Sequence, residues 1–470
     1  MLNYGLRYDF NGPFYSTDGT LSDFDPNSST GFAIVGQGLD SIYPRNWTNF
    51  SPRFGFSSQL TDKLVVRGTY GVFFDLPNLN GFFDNRPGNG AAVGVQANRA
   101  GSDPVFTVSK SSAFAISTDL DPLPSSSATA TFGAATVSKD FRTAYIQNFN
   151  LNTEYQLSPR TVLQIGYVGS LGRRLFNLRD INQAARGAKI VNGVLVGNVV
   201  QATRPYNNQF PHLAAINQFE SSSGSNYHSL QAQIRTSGWH GLTAQASYTY
   251  GHALDNVSGT RGYAPQDSNN LAAEYGNALF DVKHTFNGYI VYEVPTFTEH
   301  AKLLTKGWQA NSFLTFYTGS PVNVKLSSSN SGNGEVQDRV NLTGDAYAVS
   351  HAFNTTGKYV SWFNSAAFST PTAGTYGTMQ RNLLRGPGFG TVDAALVKNT
   401  GFAVNRKELN LQLRAEMFNI FNRVNLANPS GTFGSSSFGR ATDTRGDNAG
   451  APGIGPGEPF NVQFAAKLIF

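Results

Sequence analysis

Asn148-Phe149-Asn150-Leu151-Asn152-Thr153-Glu154-Tyr155-Gln156-Leu157 is the stretch that decides the fold. Phe149, Leu151, Thr153, Tyr155 and Leu157 alternate with Asn148, Asn150, Asn152, Glu154 and Gln156. Successive side chains of a strand point to opposite faces, so this is a ribbon with one oily and one wet side. Residues 2–10 repeat it, with Leu2, Tyr4, Leu6, Tyr8 and Phe10 against Asn3, Gly5, Arg7 and Asp9. Residues 409–417 do the same, with Leu409, Leu411, Leu413, Ala415 and Met417 against Asn410, Gln412, Arg414 and Glu416. Twelve segments read this way: 2–10, 50–60, 63–74, 144–157, 161–171, 226–236, 242–252, 281–293, 306–318, 390–400, 408–421 and 460–470. Soluble strands average about 5–6 residues. These segments mostly match the roughly 9–11 residues that a tilted strand needs to cross a bilayer.

The links between segments alternate in length. Thr61-Asp62, 158–160, 237–241, 295–305 and 401–407 are short; 11–49, 75–143, 172–225, 253–280, 319–389 and 422–459 are long. Outer-membrane barrels have short periplasmic turns and long external loops. The first strand therefore runs outward and the C-terminus lies in the periplasm. The long links are rich in Ser, Gly and Asn and show no legible site. Tyr8, Phe10, Phe73, Phe74, Tyr248, Tyr250, Trp308, Phe418 and Phe421 lie at strand ends, where aromatic girdles meet the membrane–water boundary.

Composition agrees. Of 470 residues only 14% are charged, with 49 Gly, 36 Phe and 20 Tyr. Hydrophobic residues make up 40%, which excludes a disordered chain. Zero Cys excludes disulfides, iron–sulfur clusters, thiolate zinc sites and a Cys nucleophile. Net charge is +5, but the 35 Lys and Arg are scattered, so no nucleic-acid partner is expected. No apolar run approaches the ~18 residues of a spanning helix. Met1-Leu2-Asn3-Tyr4 has no signal-peptide pattern.

No enzyme, cofactor or metal is expected. The seven His form no HExxH or comparable pair. His228 and Ser229 are neighbours on a strand and face opposite sides. Asp23/Asp25 and Asp119/Asp121 lack EF-hand spacing and read as solvated turns beside Pro26 and Pro122. Arg445-Gly446-Asp447 matches an adhesion tripeptide by chance in a Gly-rich loop. Arg385-Gly386-Pro387-Gly388-Phe389-Gly390 reads as a turn entering the tenth strand.

At the C-terminus, Phe460, Val462, Phe464, Ala466, Leu468 and Phe470 share one face. This resembles the terminal signal that the barrel-assembly machinery reads in bacterial outer-membrane proteins. Asn49-Phe50-Ser51-Pro52-Arg53-Phe54-Gly55-Phe56 and Arg67-Gly68-Thr69-Tyr70-Gly71-Val72-Phe73-Phe74 resemble strands of TonB-dependent receptors. Gln147 to Tyr155, Ile165 to Ser170, Tyr248-Thr249-Tyr250 and Arg414 to Asn422 resemble the Oar-like branch. That resemblance implies an all-β transmembrane antiparallel barrel, residues 1–470 being the C-terminal part of a 22-stranded receptor. It also implies a bacterial outer-membrane location, contact with the lipid bilayer, and TonB-energised uptake of an unassigned solute through a plug. No plug, TonB box or carboxypeptidase-regulatory-like module is legible, so the expectation is a partial, open barrel; the rival is a complete twelve-stranded one. A passive pore and a surface adhesion or structural barrel are the alternative functions. In each case the wet faces line the interior, with Arg7, Asp9, Glu154, Arg414 and Glu416 as the candidate lumen-facing polar residues.

Overall fold

The computed structural model describes every residue except 16–20, 30, 77–130, 188–189, 192–193, 196–199, 260–264, 297, 299–300, 405–406 and 446–457. Period-two alternation becomes twelve long strands: β1 (Leu2–Tyr8), β2 (Phe50–Thr61), β3 (Leu64–Phe74), β4 (Tyr145–Ser158), β5 (Thr161–Asp180) and β6 (Leu213–Trp239) form the first half. β7 (Leu242–Asp255), β8 (His284–Glu293), β9 (Trp308–Tyr317), β10 (Phe389–Val404), β11 (Lys407–Phe418) and β12 (Asn461–Ile469) form the second. Each pairs antiparallel with the next, in sequence order, and β1 and β12 are not hydrogen-bonded to each other. The sheet is therefore open, as the partial-barrel reading expected.

Register carries one chemistry across all twelve strands. Tyr4 pairs Phe54, Phe54 pairs Tyr70, and Tyr70 pairs Phe149. Further along, Ile234 pairs Ala246, Ala246 pairs Gly288, and Gly288 pairs Leu314. The row ends with Leu413 opposite Ala466. A one-residue slip at any ladder would turn that strand's oily side inward. Glycine fits where a ring must lie flat across its neighbour: Gly68 lies under Phe56 and Gly169 under Phe149.

Among the described residues, no second layer covers the apolar face. Leu151 is 50% exposed, Leu230 51% and Phe464 79%. Contiguous apolar surface on this scale needs an apolar solvent. At its long-loop edge the Tyr167 hydroxyl meets His228 Nδ1 at 2.6 Å and the Tyr248 hydroxyl meets His284 Nδ1 at 2.7 Å. At the short-turn edge Lys398 lies on the apolar face, but its amine reaches back to donate to the Lys306 carbonyl at 2.7 Å. Lys398 is only 8% exposed, and its amine is satisfied there by protein acceptors, Thr400 Oγ1 at 3.0 Å among them. Phe73 departs from the girdle expectation: it alternates onto the polar face, under the Arg53 guanidinium.

Two further expectations change. β5 and β6 have 20 and 27 residues, about twice a tilted span. Bulges between Glu220 and Ser225 hide the outer half of this hairpin from a period-two reading. That half continues beyond the membrane-length sheet and recruits Phe132–Val137 in parallel along β6. The described parts of the long links are also folded. One core joins Val322, Val324, Val340, Phe363, Phe368 and Phe438; a second joins Val35, Ile42, Val137, Phe141 and Phe219; a third joins Phe24, Phe32, Phe210 and Leu213. The main apolar cores thus lie in the cap over one end of the sheet.

The two faces of β4 predict opposite responses to charge. Leu151→Arg should cost about 2–4 kcal/mol, the range for a cation at mid-depth on a lipid face. Asn150→Arg, one residue away, should cost less than about 1 kcal/mol. Reversible urea unfolding in lipid vesicles measures both.

Candidate functional site

The polar face carries amides and hydroxyls in hydrogen-bonded rows. Asn152 donates to Asn150 Oδ1 at 2.8 Å, Gln245 to Ser247 Oγ at 3.2 Å, and Gln412 to Asn399 Oδ1 at 2.9 Å. Several of its charges come in local pairs. Arg67 reaches Glu154 across strands at 2.9 Å, and Arg235 approaches the same carboxylate at 3.9 Å. Arg7 pairs with Asp9 at 2.7 Å, and Arg414 with Glu416, two residues along its own strand, at 3.6 Å. Arg7, Glu154, Arg414 and Glu416 thus lie on the polar face, and Asp9 follows β1. The Arg414–Glu416 pair runs along one strand rather than across two. Exposed pairs of this kind contribute only about 0–1 kcal/mol each.

The cap holds the stronger electrostatics. Asp180 accepts from Arg204 at 2.8 Å and from the backbone N–H groups of Asn182 and Ile216, each at 2.8 Å. Arg339 grips Glu274 with a two-pronged contact at 2.7 and 2.9 Å. Arg381 joins Asp255 and also donates to the Glu274 carbonyl at 2.6 Å. Arg385 joins Asp281. A planar guanidinium donates in several directions at once, which suits it to stitching loops together. These contacts tie 253–281 to 319–389 and fasten 172–225 to itself.

Two polar hollows open among these segments. One, about 160 Å³, is lined by Asn256, Gln266, Asn323, Lys325, Arg339 and Asn382. The Asn323 and Asn382 Oδ1 atoms facing this lining are buried and accept no hydrogen bond. A polar hollow of this size suits ordered water. The other, about 560 Å³ and more open, is lined by Gln183, Arg186, Thr203, Asp267, Asn270 and Tyr376. Arg186 lies over the Tyr376 ring at 5.6 Å, and burial pushes the Tyr376 hydroxyl up to about 12.

Two cap carboxyls titrate far from their usual range. Burial raises Asp23 to about 6, although Thr136 Oγ1 and the Val137 N–H donate to it at 2.6 and 2.9 Å. Burial first, then the neighbouring Asp180 carboxylate, raises Glu335 to about 7. Asp23 is therefore no solvated turn residue: it is 4% exposed and fastens the first long link to residues 136–137. Asp25 does form the expected turn, accepting from Asn27 N–H at 3.0 Å. Asp119, Asp121, Gly446 and Asp447 lie outside the described residues. Arg445 donates to the Tyr317 hydroxyl at 3.2 Å and to the Pro387 carbonyl at 2.9 Å.

The 385–390 turn enters β10 as expected, and its glycines admit close neighbours: a Cβ on Gly388 would lie 2.9 Å from the Tyr317 carbonyl. His228 and Ser229 lie on opposite faces, Ser229 donating to the Val168 carbonyl at 3.4 Å. Val462, Phe464, Ala466 and Leu468 lie on the apolar face of β12, opposite Met417, Ala415, Leu413 and Leu411. Phe460 and Phe470 flank that strand at its two ends, 47% and 93% exposed.

Comparison with known proteins fits this geometry. A family model described as an outer membrane beta-barrel domain matches residues 1–463. The chain belongs to that family. It is an outer-membrane β-barrel protein of a bacterium. Among solved structures it is similar to the outer membrane transporter YddB from Escherichia coli, with 10% identity, TM-score 0.45, and 90% of this chain against 40% of that one. It is also similar to the FrpB iron transporter from Neisseria meningitidis, with 11% identity, TM-score 0.42, and 100% against 43%. The ferric-catecholate import receptor Fiu from E. coli gives 13%, 0.39, and 99% against 42%. The chain thus spans about two fifths of the length of these structures. No curated protein matches.

Arg381→Ala should loosen the cap by about 3–5 kcal/mol, because it strands the buried Asp255 carboxylate. Hydrogen exchange should show faster amides at 253–258 and 379–385 and unchanged strands β2 to β4.

The raised Glu335 value has a direction. The docked cap holds this proton more tightly than the undocked one, so its contribution is complete below about 4.5 and declines as pH rises through about 7. Asp180, Arg204 and Asp338 surround it, and burial raises Asp338 as well. Exchange-rate-corrected protection of residues 331–340 should therefore be greater at pH 5 than at pH 7.5. Glu335→Gln should reduce that difference.

Proposed function

We propose that this chain is the C-terminal part of a larger receptor barrel that takes up a solute across the outer membrane, gated by a plug and energised through TonB. The carrying observation is the open twelve-strand sheet, apolar on one face and lined with amides and hydroxyls on the other. In this reading the free edges of β1 and β12 pair with further strands of the same barrel. The polar face then lines the interior, and its unoccupied donors and acceptors meet a plug or solute. In this reading the open hollow around Arg186, Asp267 and Tyr376 offers an arriving solute a polar surface in the cap. Residues 460–470 are what the barrel-assembly machinery would engage, since an unpaired strand edge can add a strand.

Because the sequence has no Cys, a single introduced thiol reports cleanly on access. In intact cells, Gln245→Cys on the polar face should react slowly with an external water-soluble maleimide. Energising the inner membrane should speed labelling several-fold, and a protonophore or loss of TonB should abolish the increase. Fast labelling that ignores energisation would mean a passive pore. No labelling under any condition, with normal surface assembly, would leave the cap as a binding surface without transport.

A further inference from the structure

We propose that the apolar face carries a seat for one glycerophospholipid of the periplasmic leaflet, with an acyl chain in a groove across β6, β7 and β8. The groove has a volume of about 440 Å³. Its floor has the small residues Ala244, Ala246 and Gly288, with Ala246 opposite Gly288 by register and Ile290 opposite Ala244 at its side. Ile234, Trp239 and Leu314 stand as its walls. A smooth wall of large side chains would offer lipid tails no preferred position. A strip of Ala and Gly between bulky neighbours offers one, because a chain lying in it gains contacts on three sides.

The length fits one leaflet. The groove runs from Leu242, beside the short turn, to Phe286, which pairs with Tyr248. Six residues of strand rise about 20 Å. At the usual tilt of about 40° this is roughly 15 Å of depth, half of the ~30 Å hydrocarbon core. The groove therefore begins at the boundary on the short-turn side, which barrels of this kind place in the periplasm, and ends near the midplane.

Charge at its mouth fits a phosphodiester. Thr161 lines the groove, and Arg160 precedes it in the turn. The Arg160 guanidinium crosses to the neighbouring turn and donates to the Gly238 carbonyl. His240 follows Trp239, with the two rings edge to face at 5.3 Å. The Arg160 and His240 side chains are both exposed. Among the described residues beside this turn, the acid Glu293 alternates onto the polar face with Val291. A phosphate at the boundary thus meets Arg160 and His240, while the indole of Trp239 lies at the depth where headgroup and tail join. The position excludes a lipid of the outer leaflet.

The test is native mass spectrometry of the full chain released from detergent containing palmitoyl-oleoyl phosphatidylglycerol. The wild type should retain one lipid after the others are stripped. Ala244→Leu/Ala246→Leu fills the groove with residues favoured against lipid and should remove the retained molecule. Arg160→Gln/His240→Gln should weaken retention about tenfold. Retention that survives the filled groove overturns the proposal, whether or not the charge variant changes it, because the lipid then sits elsewhere. Should the filled variant fail to assemble, quenching of Trp239 by brominated acyl chains, in a variant whose Trp47, Trp308 and Trp362 are replaced by Phe, decides. Saturation at a low mole fraction supports a seat; quenching proportional to bromolipid content contradicts it.

Discussion

Backbone amides and carbonyls have no partner in hydrocarbon, and that constraint governs the whole molecule. A chain that crosses a bilayer as strands must give every peptide group to a neighbouring strand. It must also put apolar side chains outward and may keep polar ones inward, so alternation at period two is the only pattern compatible with both demands. Here each strand from β1 to β12 pairs with the next, and the oily row stays aligned across the membrane-length part, the register shifting only at strand ends and in the outer half of the β5–β6 hairpin. The same constraint makes the two free edges significant. Among the described residues, β1 and β12 present unpaired backbone at opposite margins of the sheet, and such edges are not stable against lipid. The proposed receptor reading gives these edges partners in further strands of the same barrel.

The transmembrane part was legible in the sequence because its physics is local. Asn148 to Leu157 needs no distant partner to declare its two faces, and the same holds for Leu409 to Met417. All twelve strands stand where alternation placed them, with ends displaced by a few residues, as at Asp281 to Lys283, except where β5 and β6 extend outward well past the reading. The outer half of the β5–β6 hairpin was not legible. Ser221 to Ser225 is small and polar on both faces, and the bulges there shift the phase of the pattern. Nothing in the local sequence distinguishes that stretch from a loop.

The cap was illegible for a different reason. Its order comes from contacts between residues far apart in the chain: Arg381 meets Asp255 across 126 positions, and Arg339 meets Glu274 across 65. Each arginine looks like a stray surface charge in a Ser- and Gly-rich link until its partner is placed beside it. One signal was available. In a chain with only 14% charged residues, arginines and carboxylates gathered in the long links are candidates for burial together. Asp23 illustrates the cost of reading locally: flanking Asp25 and Pro26 suggested a wet turn, while Thr136, 113 positions away, makes it a buried staple.

The central claim is that one face of the ribbon meets lipid and the other meets water. The most direct measurement is a nitroxide scan along residues 146–157 in reconstituted vesicles, recording collision with oxygen and with a water-soluble nickel chelate. The account predicts oxygen maxima at Phe149, Leu151, Thr153 and Tyr155, with the chelate, wherever it gains access, favouring Asn148, Asn150, Asn152 and Glu154. Equal profiles at neighbouring positions, or the reverse phase, would contradict it.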